Sequence, residues 1–166
     1  HGTACAGLVA ALSNNTRGVT GTAWNVKLMP LRIGWAFLGA GPGEGEVRMD
    51  FVARAVRYAT RTGAHVLNCS FSTENTDGLD AAVTAAVQAG VTVVSSAGND
   101  GSPDYVARRP DVISVAATDR NDIVAGFSSV NPDIDLCAPG VGIVSTWRRS
   151  PPAASDSASL WQPAYS

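Results

Sequence analysis

The sequence is poor in charge and contains no long hydrophobic run. Charged residues make up 16% of the 166 residues, and the formal net charge at pH 7 is −2. Binding to nucleic acid or to an anionic membrane needs a basic surface, so this balance gives no reason to expect either partner. The longest charge-free run, residues 81–99, contains Gln, Gly, Thr and Ser, and does not predict a membrane span of about 20 apolar residues.

Cysteine is also scarce. The three cysteines, Cys5, Cys69 and Cys137, are an odd number and cannot form a closed disulfide framework. No Cys-x-x-Cys pair is present, and no cysteine–histidine spacing suggests a zinc site. Each cysteine lies among small or apolar neighbours, so the sequence predicts free, buried thiols. No metal or other cofactor is predicted from these residues.

The residues that are abundant indicate an α/β protein. Hydrophobic residues make up 45% of the chain, and its length suits one domain, residues 1–166. Apolar periodicity and turn residues predict helices at residues 3–12, 46–62 and 77–89. Short apolar runs predict strands at residues 26–33, 65–71, 91–95, 112–117, 134–137 and 141–145. The Ser-, Pro- and Ala-rich residues 148–166 are expected to form a loop-like tail.

The order of these elements predicts the architecture. Strands and helices alternate, which implies right-handed crossovers and a doubly wound, mostly parallel sheet with helices on both faces. This is a three-layer α/β fold. The helix at 3–12 is apolar nearly all round and is therefore predicted to be buried. The strand at 26–33 contains Pro30, which has to lie at an edge or a bulge.

Two turns follow predicted strands, at the sheet edge where parallel α/β proteins bind ligands. One is Asn-Cys-Ser-Phe-Ser at residues 68–72, and the other is Ser-Ser-Ala-Gly-Asn-Asp-Gly at residues 95–101. The small residues of the second turn suit a pocket floor, and Asn99 can direct its side-chain amide at a ligand oxygen. Taken alone, an Asn in such a turn is more often explained by its tolerance of left-handed backbone, so the turn by itself does not assign a ligand-binding role.

The chain contains two histidines, His1 and His65. His1 precedes Gly-Thr and a predicted helix, whose positive N-terminal end favours the neutral imidazole that a general base needs. A histidine in this position is also compatible with no catalytic role. His65 opens a strand and has no chemical partner nearby in the sequence, so a structural role is predicted for it.

A Gly-rich segment at residues 39–45 raises the possibility of a nucleotide site. Its spacing is not Gly-x-Gly-x-x-Gly, and Pro42 interrupts the row of N–H donors that phosphate binding needs. The sequence has no Gly-x-x-x-x-Gly-Lys-Ser/Thr motif either. Nucleotide binding is therefore not predicted, and we expect neither NAD nor ATP to protect the protein against thermal unfolding.

Five segments, taken together, resemble the subtilisin family of serine endopeptidases. They are His-Gly-Thr with the following helix at 1–12, the loop at 14–23, Val-Leu-Asn-Cys-Ser-Phe-Ser at 66–72, the segment 91–101 that ends Ala-Gly-Asn-Asp-Gly, and the segment 127–140 that ends Ala-Pro-Gly. Each motif alone is unspecific, but five in this order are specific. The match extends over residues 1–147.

The resemblance implies a role for each matched residue. His1 would be the general base, and Asn99 would donate a side-chain N–H to the oxyanion of the tetrahedral intermediate. Residues 70–72 would pair with the substrate backbone and form one wall of the pocket for the residue before the scissile bond. Residues 96–98 would form the other wall. The six wall residues are Ser70, Phe71, Ser72, Ser96, Ala97 and Gly98.

The sequence departs from the family at two triad positions. The family orders its triad Asp, His, Ser, so the Asp would precede His1. The nucleophile would lie in Gly-Thr-Ser, and both Gly-Thr pairs of this chain are followed by Ala. The chain is therefore interpreted as a fragment of one peptidase domain, and alone it is expected to be inactive and of low stability. Ser72 also stands where Gly is frequent, and Val106 where Pro is frequent.

The resulting interpretation is a monomeric, secreted or extracytoplasmic serine endopeptidase acting on polypeptides. Some relatives bind calcium in the loop that corresponds to residues 13–18, but the match there is poor and no site is predicted. The competing interpretation is a non-catalytic relative that binds peptides. The presence of both His1 and Asn99 favours the enzyme, because neither is needed for folding. A Gly-Thr-Ser and small-residue helix encoded beyond residue 166 would support it.

Overall fold

The computed structural model describes residues 1–35, 45–130 and 132–147. The chain divides into two compact units. The first consists of His1–Leu28 and the described part of Gly142–Ser166, and the second consists of Met29–Val141. The predicted tail at 148–166 and most of the predicted Gly-rich loop lie outside the described residues. The prediction of one domain over residues 1–166 stays a prediction.

The first unit is built on helix α1, Gly2–Ala10. Its C-terminal carbonyls are satisfied by an extended segment, in which the backbone N–H of Thr22 donates to the Leu8 carbonyl over 2.9 Å. The segment approaches the helix closely, because a Cβ at Gly21 would lie 2.5 Å from the Cα of Ala10. Only glycine therefore fits at this crossing.

The helix at residues 3–12 is confirmed, but its predicted burial is wrong. Of its residues only Gly7 is buried, and the side chain of Leu8 is 40% exposed. The described hydrogen bonds to the helix from outside come from residues 21–23 and from two hydroxyls, those of Ser145 and Thr146. The helix is therefore largely accessible although its residues are mostly apolar.

The second unit contains a parallel sheet of four strands in the order β3-β4-β5-β6. In the register of the sheet, Leu67 lies opposite Val93, Ser95 opposite Ser114, and Ala116 opposite Cys137. The bounds are β3 Val66–Cys69, β4 Thr92–Ser96, β5 Ile113–Thr118 and β6 Leu136–Pro139. The predicted α/β class with a parallel sheet is confirmed.

Helices α2, Met49–Arg61, and α3, Leu79–Gln88, pack against each other and share one hydrophobic core with β4. Each helix ends at a glycine in the left-handed region, Gly63 at φ +83° and Gly90 at φ +81°, as the sequence predicts. No helix in the described ranges is long and apolar enough to cross a membrane. The buried helical residues are Val52, Ala53, Val56, Ala59, Leu79, Ala82, Val83 and Ala86.

Leu79 gives a direct test of this core. Its side chain is fully buried at the start of α3, so Leu79→Ala is expected to lower the free energy of unfolding by about 2–5 kcal/mol. Leu136→Ala is the matched control, because Leu136 is 55% exposed and the loss should stay within about 0.5 kcal/mol. Urea unfolding of the full-length gene product measures both. Equal losses would contradict the assignment of the core.

Two predicted strands are not formed. Residues 26–33 do not join the sheet, and Val26 is 50% exposed. Pro30 has no N–H to donate, and the first extended pairing comes after it, in an antiparallel pair of β1, Gly34–Trp35, with β2, Glu46–Val47. Residues 141–145 also have no strand partner among the described residues, and Ser145 Oγ donates instead to the Ala4 carbonyl of α1 over 2.6 Å.

None of the three cysteines forms a disulfide within the described ranges, and they differ in burial. Cys69 is buried, Cys5 is half-buried and Cys137 is exposed. Burial raises the pKa of the Cys69 thiol to about 11, so this thiol stays protonated at neutral pH. The prediction that all three are buried is wrong for Cys137, because within the described ranges β6 has β5 as its one strand partner, and its neighbour Leu136 is 55% exposed as well.

Candidate active site

Asn99 lies in the turn that leaves the carboxyl end of β4, as the sequence predicts. The strand ends at Ser96, Ala97 is buried, and Asn99 is exposed. Gly98 has φ +105°, and a Cβ there would lie 2.9 Å from the Ser102 carbonyl oxygen. The turn therefore needs glycine immediately before Asn99, for both its backbone conformation and its space.

Ser129 is hydrogen-bonded to this turn at two positions. It is fully buried, its backbone N–H donates to the Gly98 carbonyl over 3.0 Å, and its Oγ donates to the Ser102 carbonyl over 2.9 Å. Both ends of the turn around Asn99 are thus bonded to one residue. Sequence reasoning missed this role, and the only signal was the place of Ser129 in the matched segment 127–140.

The second predicted wall follows β3. Asn68 Nδ2 donates to Ser70 Oγ over 2.9 Å, and the half-buried Phe71 packs against the hydrophobic core. Ser72 is exposed, whereas the next residue, Thr73, is buried. Phe71 therefore has a packing role in the second unit besides the predicted place in a pocket wall. The wall roles of Ser70, Phe71 and Ser72 stay predictions.

A third segment, residues 104–106, bonds to Ala97 in one predicted wall and to Thr73, the residue that follows the other wall. The backbone N–H of Asp104 donates to the Ala97 carbonyl over 3.1 Å, and the N–H of Thr73 donates to Asp104 Oδ1 over 3.2 Å. Thr73 also accepts from Tyr105 N through its carbonyl and from Val106 N through Oγ1. The turn at residues 95–101 is thus connected through this segment to Thr73, which directly follows the turn at residues 68–72.

This third segment is fixed to α3 by an ionic cluster. Arg109, whose side chain is 13% exposed, pairs with Asp80 and binds Asp111 through two nitrogens, at 2.9 and 2.7 Å. The Tyr105 hydroxyl also donates to Asp80. The hydrogen bonds of Arg109 hold the pKa of Asp111 below its usual value. Neither Arg109 nor Asp104 was singled out from the sequence.

His1 belongs to the first unit, and the seven other predicted site residues belong to the second. It is exposed at the N-cap of α1, and the Sγ of Cys5 lies 3.5 Å from its Nε2. His65 is exposed at the start of β3, and its carbonyl accepts the N–H of Thr92 over 2.9 Å. The catalytic role of His1 and the structural role of His65 both stay predictions.

Comparison with known proteins decides the family. The sequence profile described as the subtilase family matches residues 1–161. The chain belongs to the subtilase family. It is 37% identical to thermitase of Thermoactinomyces vulgaris over 98% of this chain and 57% of the relative, and 37% identical to subtilisin Savinase of Lederbergia lenta over 98% and 59%. The chain spans about half the length of the curated relatives it matches.

Solved protease structures share the fold. The crystal structure of a cold adapted subtilisin-like serine proteinase superposes with a TM-score of 0.58 at 30% identity, over 62% of this chain and 40% of that chain. A mutant of the protease domain of PatA superposes with a TM-score of 0.56 at 28% identity, over 60% and 40%. The subtilisin-like fold expected from the five sequence segments is therefore confirmed.

This subtilase has no suitable donor set for calcium in the loop at residues 13–18. The loop contains no carboxylate, and its Asn15 Oδ1 already accepts the backbone N–H of Arg17 over 3.0 Å. Calcium prefers several oxygen ligands that include carboxylates, so these residues do not fit the ion. In the described ranges as a whole, no group of three or more His, Cys, Asp or Glu residues could hold a metal ion.

Gly98 allows a test of the turn geometry. Gly98→Ala places a Cβ against the Ser102 carbonyl at a positive φ, so the free energy of unfolding should fall by about 2–5 kcal/mol. In the matched control, Gly101→Ala, φ is +84° but nothing lies within 4 Å of the added Cβ, and about 1–2 kcal/mol is expected. Thermal unfolding of the full-length product measures both. Equal costs would contradict the close packing at Gly98.

Proposed function

We propose that the protein containing this chain is a serine endopeptidase that cleaves polypeptides through a Ser-His-Asp triad and an Asn oxyanion hole. One observation carries the proposal: in a member of the subtilase family, Asn99 is exposed on a turn held by Gly98 and Ser129 at the carboxyl end of a parallel strand. A turn held in this way restricts where the side-chain amide can lie, as a preorganised donor for a developing oxyanion requires.

In the proposed reaction His1 accepts the proton of the nucleophilic serine and later gives it to the leaving amine. Asn99 donates an N–H to the oxyanion of the tetrahedral intermediate, where the negative charge develops. Residues 70–72 pair with the substrate backbone as an added strand, which aligns the scissile carbonyl with Asn99. The nucleophile and the Asp that orients His1 are proposed to lie outside these 166 residues.

Hydrolysis of casein by the full-length gene product tests this proposal. We expect steady turnover that a sulfonyl fluoride, which acylates activated serines, abolishes and that a metal chelator added at the moment of assay does not. Failure to cleave casein or any fluorogenic peptide would contradict the proposal. Turnover that resists the sulfonyl fluoride would also contradict it, because the nucleophile would then not be a serine.

The second candidate is a non-catalytic relative that binds peptides between the same two walls. The 166 residues contain no Gly-Thr-Ser, so this sequence is compatible with both candidates. Such a protein would bind peptides without hydrolysing them, whereas the endopeptidase does both. The coding sequence gives an independent criterion, because only the endopeptidase requires a Gly-Thr-Ser followed by a small-residue helix beyond residue 166.

Several properties of the whole protein belong to the same proposal. We infer a monomer that acts outside the cytoplasm on polypeptide chains, needs no cofactor for the chemical step, and binds neither nucleic acid nor membrane. The net charge of −2 supports the absence of these last two partners. The 166 residues alone are expected to cleave no peptide, because they carry the proposed base and oxyanion donor but no predicted nucleophile.

A further inference from the structure

The turn that carries Asn99 has little stiffness of its own. Glycines lie on both sides of Asn99, at Gly98 and Gly101, and both have a positive φ, +105° and +84°. Glycine has more backbone freedom than any other residue, so these two positions by themselves leave the direction of the Asn99 side chain loosely defined. A preorganised oxyanion donor on this turn therefore needs tethers from outside the turn.

Ser129 supplies two such tethers from a distant part of the chain. Its backbone N–H donates to the Gly98 carbonyl over 3.0 Å, and its Oγ donates to the Ser102 carbonyl over 2.9 Å. The two carbonyls lie on either side of Asn99 in the sequence, and Ser129 is fully buried. Because a buried residue with its hydrogen bonds satisfied is rigid, Ser129 restricts the motion of the exposed turn.

Ser129 is in turn attached to strand β5. The N–H of Ala117, in β5, donates to the Oγ of Ser128, the residue before Ser129, over 2.9 Å. The same strand accepts the N–H of Ala97, the residue where the turn begins, at its Val115 carbonyl over 2.9 Å. The turn is thus attached to β5 directly at its start and through Ser129 further along, so one strand serves as the reference for both attachments.

We propose that Ser129 is a positioning residue whose hydroxyl fixes the direction in which Asn99 presents its side-chain amide. The inference rests on the proposed function, because it adds a residue to the same oxyanion hole. Ser129 acts through Asn99 and not on the substrate itself. In Ser129→Ala the backbone bond to Gly98 remains and only the hydroxyl bond to Ser102 is lost, so the turn stays folded but less restricted. A misdirected donor weakens the binding of the transition state more than that of the substrate.

Kinetics of Ser129→Ala on the full-length product, in the wild-type and in the Asn99→Ala background, test this role. In the wild-type background kcat should fall about 10-fold with KM within about twofold, because small displacements of a catalytic group slow the reaction strongly. The loss should stay below that of removing the donor itself, about 10²–10³-fold. In the Asn99→Ala background the same substitution should change kcat by less than about twofold, since residues that act as one unit are not additive.

Ser114→Ala is the matched control for the loss of a buried serine hydroxyl. Ser114 is fully buried in β5, and its Oγ bonds to the Asp133 carbonyl over 2.7 Å and to Asp135 Oδ2 over 2.9 Å. Its loss should lower the thermal stability at least as much as Ser129→Ala does, but leave kcat within about threefold. If Ser129→Ala does not fold, Ser129→Cys replaces it, because a thiol of similar shape is only a weak donor.

The outcomes separate this inference from the proposed function. If the wild type hydrolyses casein but Ser129→Ala leaves kcat unchanged, or lowers it equally in both backgrounds, the positioning role is overturned and the endopeptidase proposal stands. Equal losses of kcat in Ser129→Ala and Ser114→Ala overturn it as well. If casein is not hydrolysed, the endopeptidase proposal fails, and NMR order parameters of the backbone amides at residues 99–101 decide on Ser129. A fall in Ser129→Ala but not in Ser114→Ala supports its positioning of the turn, and no fall overturns it.

Discussion

His1→Ala should reduce kcat of the full-length product by about 10²–10⁴-fold, the usual contribution of a positioned general acid–base group. In the proposed reaction no other residue of the chain takes the proton of the nucleophile. The exposed imidazole lies at the N-cap of α1, with its side chain making no cap hydrogen bond, so its removal should leave the helix intact. Initial rates on a fluorogenic peptide, with circular dichroism as the folding check, measure the effect.

His65→Ala is the matched control, because it removes the other histidine of the chain. His65 is exposed, and the contact that ties it to the sheet is made by its backbone carbonyl, which the substitution retains. Its kcat should stay within about threefold of wild type, as for a surface substitution. If His1→Ala retains more than half of the wild-type kcat, or if the two variants lose activity equally, His1 is not the base.

Asn99→Ala should lower kcat by about 10²–10³-fold with little change in KM. The range is the one known for removal of the oxyanion asparagine of a subtilisin, to whose family this chain belongs. We expect kcat to fall and KM to stay nearly unchanged, because the amide interacts with a negatively charged oxygen only in the transition state. In the described ranges the Asn99 side chain makes no hydrogen bond, so its loss should not disturb the turn. Steady-state kinetics on the same peptide give both constants.

Asn121→Ala controls for the loss of an exposed turn asparagine elsewhere in the second unit. Asn121 bonds locally to the side chain of Asp119, and neither residue lies in a segment proposed to touch substrate. We expect kcat and KM within about twofold of wild type. A rise in KM without a loss of kcat in Asn99→Ala would mean that Asn99 binds the ground state of the substrate, which contradicts its proposed role.

Local sequence patterns were sufficient to predict most of the second unit. The β-branched run around Val93 predicts β4, and the arginine-flanked apolar periodicity of residues 46–62 predicts α2, because each pattern has the period of its element. The glycines after the two helices mark the helix ends for the same local reason. The turn that carries Asn99 follows from the small residues at the end of β4.

The predictions that failed concern elements that depend on distant partners. An apolar run such as residues 26–33 becomes a strand only when its backbone hydrogen-bonds to a neighbouring strand. The local sequence does not show whether such a neighbour is present. The links around the candidate site are equally non-local: Thr73 and Asp104 are 31 residues apart, and Ser102 and Ser129 are 27 apart. Serine, threonine and aspartate are too frequent in loops to mark such links.

Labelling of the full-length product with a fluorophosphonate, followed by mass spectrometry of its peptides, tests the central claim most directly. This reagent phosphonylates a serine that a neighbouring base has activated. The account predicts one modified serine, within a Gly-Thr-Ser encoded outside residues 1–166, and loss of the modification in His1→Ala. An unmodified protein, or a modified serine within residues 1–166, would contradict it.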